Sequence, residues 1–495
     1  MESSYQKFAK DVAVIGIANL LVYLGGIILL PLITKTLGTH DYGIWVQVNV
    51  TIGLAMNFAI LGLPFAMTRF LAAEKSGEEI QEGFYSVLSF VFLTALVTSV
   101  LLIILADFIG RAFFDGAVRI VQITGLIVLA WSLEWVCLCF FRSFRQMKRY
   151  ALFSIADTYV QIGLIVLLVI NGYGLVSMVL AVLATRVVIF LASFLLIKSQ
   201  IGFKRPHFSR MKEYLAFALP TIPGNMAAWV VGSSNRYVIG YFLGVESVGI
   251  YAAVNTIGII PIMSVAALGF VLPPALSKLY DEGRMNEVKT HLSYSLKYSQ
   301  AIAIPFVFGA AILAEPVLRL FSTAEIASQG YLVLPIIALG TLIVIFGGVI
   351  SHILILVKKT KISGTAWIIA AVVNLGLTIL LVPYMGILGA AVATLFAYSV
   401  ATAIELYYSF KEFKVSIDWR FIIKALLSSA IMALVVWVMH PQSNTYIIIT
   451  VLVGVAVYGV SLFLLKGFKA EEISFFRALF QPGTYKTGSA KDKPK

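Results

Sequence analysis

The residues best suited to chemistry are charges and amides set inside long apolar runs. Arg236, Arg186, Glu134 and Asp157 all lie within such runs, and Lys35 closes one of them. A charge at the centre of a bilayer costs on the order of 2.5–3.5 kcal/mol on insertion scales, so it normally faces protein or water. Arg236 stands out because it precedes a repeated motif by seven residues and has no acid in its own run. It is placed facing a central cavity, where a guanidinium can pair phosphate oxygens in a fork. Glu134, Asp157 and Arg186 can neutralise one another within the first half of the chain. The alternatives for them are a cavity lining for Arg186 and ion coupling for the two acids. Lys35 sits at the outer rim of the cavity or snorkels to the headgroups. Asn57, Asn225 and Asn255 lie on the helices flanking the motif, with Asn19, Asn49, Ser233, Ser234 and Asn235. Amides and hydroxyls suit sugar hydroxyls, and cations suit phosphate.

Covalent chemistry has no comparable support. The five histidines, His40, His207, His291, His352 and His440, are scattered without metal spacing. No Gly-rich phosphate loop or nucleophile elbow is present. Cys137 and Cys139 point to different faces of a helix and suit neither a disulfide nor a metal pair. No catalytic residue, metal or cofactor is expected. A membrane glycan polymerase is disfavoured because the connections on the outer side are short, the longest spanning roughly Glu315–Gln329.

The elements that must position these residues are membrane helices. The chain is 60% hydrophobic and 12% charged, against about 25% charged for a soluble domain. Its mean hydropathy of +0.95 excludes a water-soluble fold. Apolar runs of about 20 residues fall near 12–34, 43–70, 84–106, 119–141, 150–171, 175–197, 214–241, 248–276, 292–314, 330–357, 362–382, 387–410, 419–439 and 445–465, which predicts fourteen spans. Alternate connections hold nearly all of the 37 Lys and Arg residues. Among them are Arg69 and Lys75, Arg142 to Arg149, Lys198 to Lys212, Lys278 to Lys297 and Lys358 to Lys361. The positive-inside rule places that face and both termini in the cytoplasm. The net charge of +13 therefore reads as topology and not as a nucleic-acid surface. The basic tail, residues 466–495, with Phe475, Phe476, Leu479 and Phe480, is expected to lie against anionic lipid.

A nine-residue phrase divides the chain. Leu37-Gly38-Thr39-His40-Asp41-Tyr42-Gly43-Ile44-Trp45 returns 206 positions later as Leu243-Gly244-Val245-Glu246-Ser247-Val248-Gly249-Ile250-Tyr251. Six spans precede the second copy, so both halves enter the membrane in the same orientation and are related by an axis along its normal. The expected organisation is an N-lobe (1–197, spans one to six), a cytoplasmic linker (198–213), a C-lobe (214–410, spans seven to twelve), appended spans thirteen and fourteen (411–465) and the tail. Pro31, Pro64, Pro220, Pro223, Pro261, Pro273 and Pro274 concentrate in the motif-bearing spans. They suggest hinges that let one lobe rock against the other.

Three stretches also carry a family likeness: Thr34-Lys35-Thr36-Leu37-Gly38 through Trp45, Phe140-Phe141-Arg142-Ser143-Phe144-Arg145-Gln146-Met147-Lys148-Arg149-Tyr150-Ala151, and Asn235-Arg236-Tyr237 through Tyr251. The chain resembles the polysaccharide-flippase branch of the multidrug/oligosaccharidyl-lipid/polysaccharide exporter superfamily over residues 5–410. The resemblance implies alternating-access export of a glycan linked to polyprenyl (pyro)phosphate in the cytoplasmic membrane. Its implied partners are that cargo, membrane lipids and glycan-assembly proteins. A peptidoglycan-precursor flippase and a drug/cation antiporter are the alternatives within the superfamily. One departure is Asn235, where such proteins often carry Asp, so the resemblance implies no coupling acid there.

The charge bias makes a direct prediction. Reporter fusions after Lys212 and after Lys495 should both read cytoplasmic, and an extracytosolic tail would show that the last two spans are wrongly assigned.

Overall fold

With no water to satisfy backbone groups inside a bilayer, apolar runs must fold as helices, and their interruptions fall at or close to glycine and proline. The structure is a computed structural model that describes residues 4–72, 74, 76–468 and 472, with side chains from residue 14 except 264–271, 274 and 275. Lys75 and most of the basic tail lie outside the described residues. The first lobe contains α1 (Ser4–Ile60), α2 (Leu63–Leu71), α3 (Gly77–Ile104), α4 (Ala106–Phe113), α5 (Val118–Ser143), α6 (Met147–Ile170) and α7 (Leu175–Ile201). The second contains α8 (Met211–Ala218), α9 (Ile222–Trp229), α10 (Asn235–Leu243), α11 (Val245–Gly258), α12 (Ile260–Asp281) and α13 (Met285–Ile312). It continues with the short α14 (Ala314–Phe321) and α15 (Ala324–Gly330), then α16 (Val333–Leu356), α17 (Thr360–Met385) and α18 (Ile387–Glu412). The appended pair is α19 (Trp419–Met439) and α20 (Asn444–Leu464).

Among the described residues, twelve helical stretches are long and apolar enough to cross a membrane. The first, Val14–Ile60, is 47 residues long, about 70 Å of helix against a hydrocarbon core of about 30 Å. Gly38, at φ 87° and ψ 176°, breaks it into two spans. The pair α11 and α12, which meet at Ile259, adds another. Counted this way, the described residues give the fourteen passages expected, and the chain is an all-α, multi-pass membrane protein.

Several spans are broken where the sequence reading drew them whole. Span two stops at Leu61 and Gly62, both at positive φ, and restarts with Pro64 in the first turn of α2. Span eight breaks at Ile259 and restarts with Pro261. Span seven has a 3-10 turn at Leu219–Thr221 and a π-helical turn at Val230–Ser234. Pro64, Pro223 and Pro261 each occupy a first-turn position, where the missing N–H leaves no bond broken. Pro31 and Pro305, by contrast, lie inside continuous helices.

The repeat has a structural meaning. Gly38 and its counterpart Gly244 share one backbone conformation, φ 87°, ψ 176° and φ 84°, ψ 170°, which is essentially restricted to glycine. A Cβ on Gly43 would overlap the Val245 backbone, and one on Gly249 would overlap the backbone of Thr39 and Gly43. Val245 is the repeat counterpart of Thr39, and Gly249 of Gly43. The contact therefore maps onto itself when the lobes are exchanged, as an isologous interface requires.

The appended helices and Glu472, which follows them, are anchored to the second lobe by polar bonds. Lys297 of α13, 6% exposed, holds both carboxylate oxygens of Glu472 at 2.7 and 2.9 Å, with its ammonium 4.9 Å from the Phe421 ring centre. Tyr458 of α20 donates to the Ala301 carbonyl at 2.9 Å.

Gly43→Val and Gly249→Val should each cost about 1–3 kcal/mol through overpacking, read by thermal unfolding in detergent. Gly163→Ala, where an added Cβ meets nothing within 4 Å, should be silent. A silent Gly43→Val would mean that the lobes do not meet at the motif.

Candidate functional site

Span seven carries the site. It contains a 3-10 turn at Leu219–Thr221 and a π turn at Val230–Ser234, and side chains one turn further on bond back to its carbonyls. Ser234 donates to the Val230 carbonyl at 2.7 Å, and Arg236 Nη1 donates to the Gly232 carbonyl at 2.5 Å. π turns recur at functional sites because they re-aim side chains. Here the turn sets Arg236 and Tyr237 against the other lobe. Gln47 of α1 donates to the Arg236 carbonyl at 3.3 Å, and Thr51 shares a 2.7 Å hydrogen bond with the Tyr237 hydroxyl.

The Arg236 guanidinium lies 5.9 Å from the Tyr251 ring centre, with the phenols of Tyr42 and Tyr398 also close. Tyr42 comes from the first lobe and the other two from the second, so the cation sits at the lobe interface. No carboxylate pairs with it among the described residues. Beside it, Asn235 donates to the Tyr251 hydroxyl at 2.7 Å and to Thr394 Oγ1 at 3.3 Å, while Asn374 donates to the same Thr394 oxygen at 3.2 Å. The Oδ1 atoms of Asn235 and Asn374 are buried without a partner. This cluster is neutral, whereas an Asp at 235 would have placed a carboxylate next to the guanidinium.

Arg186 takes the neutralising network within the first lobe and not the cavity lining that was its alternative. Its guanidinium is enclosed in the first lobe, where Nη1 meets Asp157 Oδ2 of α6 and both Glu134 oxygens of α5 at 3.4 Å. Nη2 donates to Gln161 at 3.3 Å, and the Trp131 ring covers the guanidinium at 3.9 Å. The spacings explain the network. Trp131 with Glu134, and Asp157 with Gln161, are three or four residues apart and so project from one helix face. Buried charges must find partners, and these are nearer than the cleft. Asp157 Oδ1 and Arg186 Nε keep no partner.

The remaining candidates scatter. Lys35, exposed at the end of its span, crosses to the second lobe, where its ammonium donates to the Leu320 carbonyl at 2.6 Å. Thr39 makes a parallel bridge to Glu325 at 2.6 Å, so α14 and α15, expected as a plain connection, close the motif end of the interface. Asn57 spends its amide on the Gly53 carbonyl of its own helix. Asn225 is exposed and Asn255 half-buried. Among the described residues, no three His, Cys, Asp or Glu side chains lie together as metal ligands would.

At the opposite end the linker is bound to the first lobe. Tyr85 donates to the Gly202 carbonyl at 2.6 Å, and Ser86 exchanges hydrogen bonds with the His207 backbone at 2.8 and 2.9 Å. Arg210 pairs with Glu74 and holds that carboxyl below its usual range. Tyr214 stacks on Phe70 at 5.0 Å, and Arg69 lies 4.7 Å from the Phe217 ring centre. The first turns of span seven therefore pack on the first lobe.

Residues 8–280, more than half of the chain, match the family model described as polysaccharide biosynthesis protein. The chain belongs to that family. A second model, MatE, matches residues 220–380 of this polysaccharide biosynthesis family member. Among curated relatives, the probable low-salt glycan biosynthesis flippase Agl15 of Haloferax volcanii is 24% identical over 54% of this chain and 56% of its own length. The probable flippase AglR of the same organism is 23% identical over 34% of this chain and 36% of its own length. The chain thus spans about half of the first relative it matches. A solved lipid II flippase MurJ, in an inward closed conformation, superposes with a TM-score of 0.75 at 20% identity, covering 94% of this chain and 99% of that one. An inward-facing multidrug resistance MATE family transporter gives 0.59 at 18% identity, over 79% and 98%. These likenesses show the two-lobed fold.

Removing Arg186 should expose the cost of its network. Arg186→Ala leaves two buried acids without their cation and should lose about 3–5 kcal/mol, seen as a fall in detergent-extracted protein and in its unfolding temperature. Adding Glu134→Gln and Asp157→Asn to that variant should restore most of the loss. Full stability of Arg186→Ala alone would mean that the acids do not depend on it.

Proposed function

We propose that this chain translocates a lipid-linked oligosaccharide across the cytoplasmic membrane by alternating access. The glycan on its polyprenyl (pyro)phosphate crosses between the lobes while the hydrocarbon tail stays in the bilayer. The observation that carries this reading is Arg236, an intramembrane guanidinium at the lobe interface with no carboxylate partner among the described residues. A phosphate or acidic sugar supplies the missing anion, and the surrounding phenols and amides suit sugar hydroxyls. Family membership and the glycan flippases among the relatives support the same cargo class. Both termini face the cytoplasm in this reading, and glycan-assembly proteins are its natural partners. The 1–197 and 214–410 lobes rock against each other, with Asn57, Asn225 and Asn255 exposed to cargo once they part.

The fold likeness to a lipid II flippase over 94% of the chain favours one second reading, export of a peptidoglycan precursor. That cargo shares the phosphate and isoprenoid chemistry and differs in its headgroup, which carries a peptide as well as sugars. A drug/cation antiporter is less suited, because Asn235 is neutral and Glu134 and Asp157 are already engaged by Arg186.

Arg236→Ala should remove a charge-assisted contact of about 1.5–3 kcal/mol, lowering export on the order of 10–100-fold with protein levels unchanged. Arg236→Lys keeps the charge without the fork and should retain part of the activity. Normal export by Arg236→Ala would leave the guanidinium as no more than a cap on the Gly232 carbonyl.

A further inference from the structure

A cavity of about 790 Å³ lies at the lipid-facing edge of the lobe interface, and Tyr237, the residue after Arg236, lines it. Phe58 of span two, Leu93, Val97 and Leu101 of α3, and Phe113 of α4 form its walls, and Tyr237 of span seven closes it towards the interface. Its polar atoms are already used. Thr94 donates to the Ala59 carbonyl at 2.6 Å, Thr98 to the Thr94 carbonyl at 2.9 Å, and Thr51 is bonded to the Tyr237 hydroxyl. Such a wall offers a ligand only apolar contact, so its occupant is a hydrocarbon chain. The groove opens to the bilayer, with Phe58, Leu93, Val97 and Leu101 exposed by 48%, 54%, 60% and 52%.

Its length and depth narrow the occupant further. From Leu93 to Leu105, the groove follows α3 for roughly 18 Å, against about 15 Å for one leaflet of hydrocarbon. Helix α3 starts on the Lys- and Arg-bearing side and ends at Ile104, so the groove lies in the leaflet on the other side. Both lobes contribute to it, because Tyr237 meets Thr51 and Phe113, the latter ring edge-on at 5.0 Å. The groove must therefore change when the lobes move. Arg236, the residue before Tyr237, faces Tyr251 instead. A head site and a tail site thus stand on adjacent residues of one helix.

We propose that this groove holds the isoprenoid chain of the cargo in the outer leaflet while its phosphate is at Arg236, and that Tyr237 with Thr51 is the gate between them. The seam formed by spans two, three and seven is then the lateral route by which cargo leaves. This rests on the flippase reading. A phospholipid acyl chain could fill the space, but only the cargo chain has to remain attached to a headgroup bound at the next residue.

The test uses the full chain in vesicles of phosphatidylethanolamine and phosphatidylglycerol, with photoreactive p-benzoylphenylalanine replacing Val97, Asn255 or Leu195. Leu195, 59% exposed on α7, is lipid-facing surface away from the groove. The probe is a radiolabelled long-chain polyprenyl phosphate. Labelling at Val97 should exceed that at Leu195 severalfold and be competed by unlabelled polyprenyl phosphate but not by added phosphatidylglycerol. Val97→Trp should slow translocation severalfold while leaving binding at Asn255 intact. Equal labelling at Val97 and Leu195, or competition by phosphatidylglycerol, makes the groove ordinary lipid-facing surface and overturns the proposal. Labelling at Asn255 without labelling at Val97 removes the groove alone and leaves the flippase reading standing. No labelling at any position removes both.

Discussion

The close approach of Gly43 to Val245, mirrored by Gly249 against Thr39, is the contact on which the two-lobed arrangement depends. Helix backbones can come this near only where Cβ atoms are missing, and in lipid such close packing replaces the hydrophobic drive that water would give. Because each half of the contact is the other's repeat counterpart, one short motif supplies both surfaces. Gly38 and Gly244 then turn the chain so that spans two and eight face each other. Lys35 and Thr39 add bridges to Leu320 and Glu325 at the same end. The Arg236 cluster, where helices of both lobes converge, hangs from this closure.

Two kinds of intramembrane charge follow from that frame. Arg186 is neutralised inside one lobe by residues on neighbouring helices, so its charge is internal and structural. Arg236 lies where helices of both lobes converge, with phenols, amides and a carbonyl in place of acids. The same insertion cost applies to both, yet only the second leaves charge for an exchangeable partner. Asn235 matters here as a residue that withholds a negative charge.

Much of this was legible in the sequence. Apolar length and Lys/Arg alternation gave the spans, because bilayer thickness and charge cost act on composition directly. The repeat located the lobe contact, since a positive-φ glycine and a glycine at a close approach leave the same spacing twice. What stayed hidden depends on three-dimensional proximity. Nothing in a linear reading marks the π turn at Val230–Ser234, or brings Tyr42, Tyr251 and Tyr398 around one guanidinium. Asn374 and Thr394 lie far along the chain from Asn235, and only an isolated amide in an apolar run hinted at the first. The mutual neutralisation of Arg186, Glu134 and Asp157 was legible because three charges in apolar runs of one half must find each other, whereas Trp131 and Gln161 around them were not, since the sequence does not say which helix faces meet. Leu61–Gly62 and Ile259 read as continuous span because a break costs little when Pro64 or Pro261 restarts the helix.

The bound linker changes where the molecule can pivot. Gly202 and His207 are bonded to α3, and Tyr214 stacks on Phe70, so the chain up to Ala218 belongs mechanically to the first lobe. The next irregular point is the 3-10 turn at Leu219–Thr221, inside the span and not in the aqueous connection. From Pro220 to Gly244 the helix extends roughly 36 Å, and this length is a lever arm. A rotation of about 10° at its base sweeps the motif end through roughly 6 Å of arc, more than the pitch of one helical turn. The duplicated glycine contact sits at the far end of that arm, where the least angular motion is needed to part it.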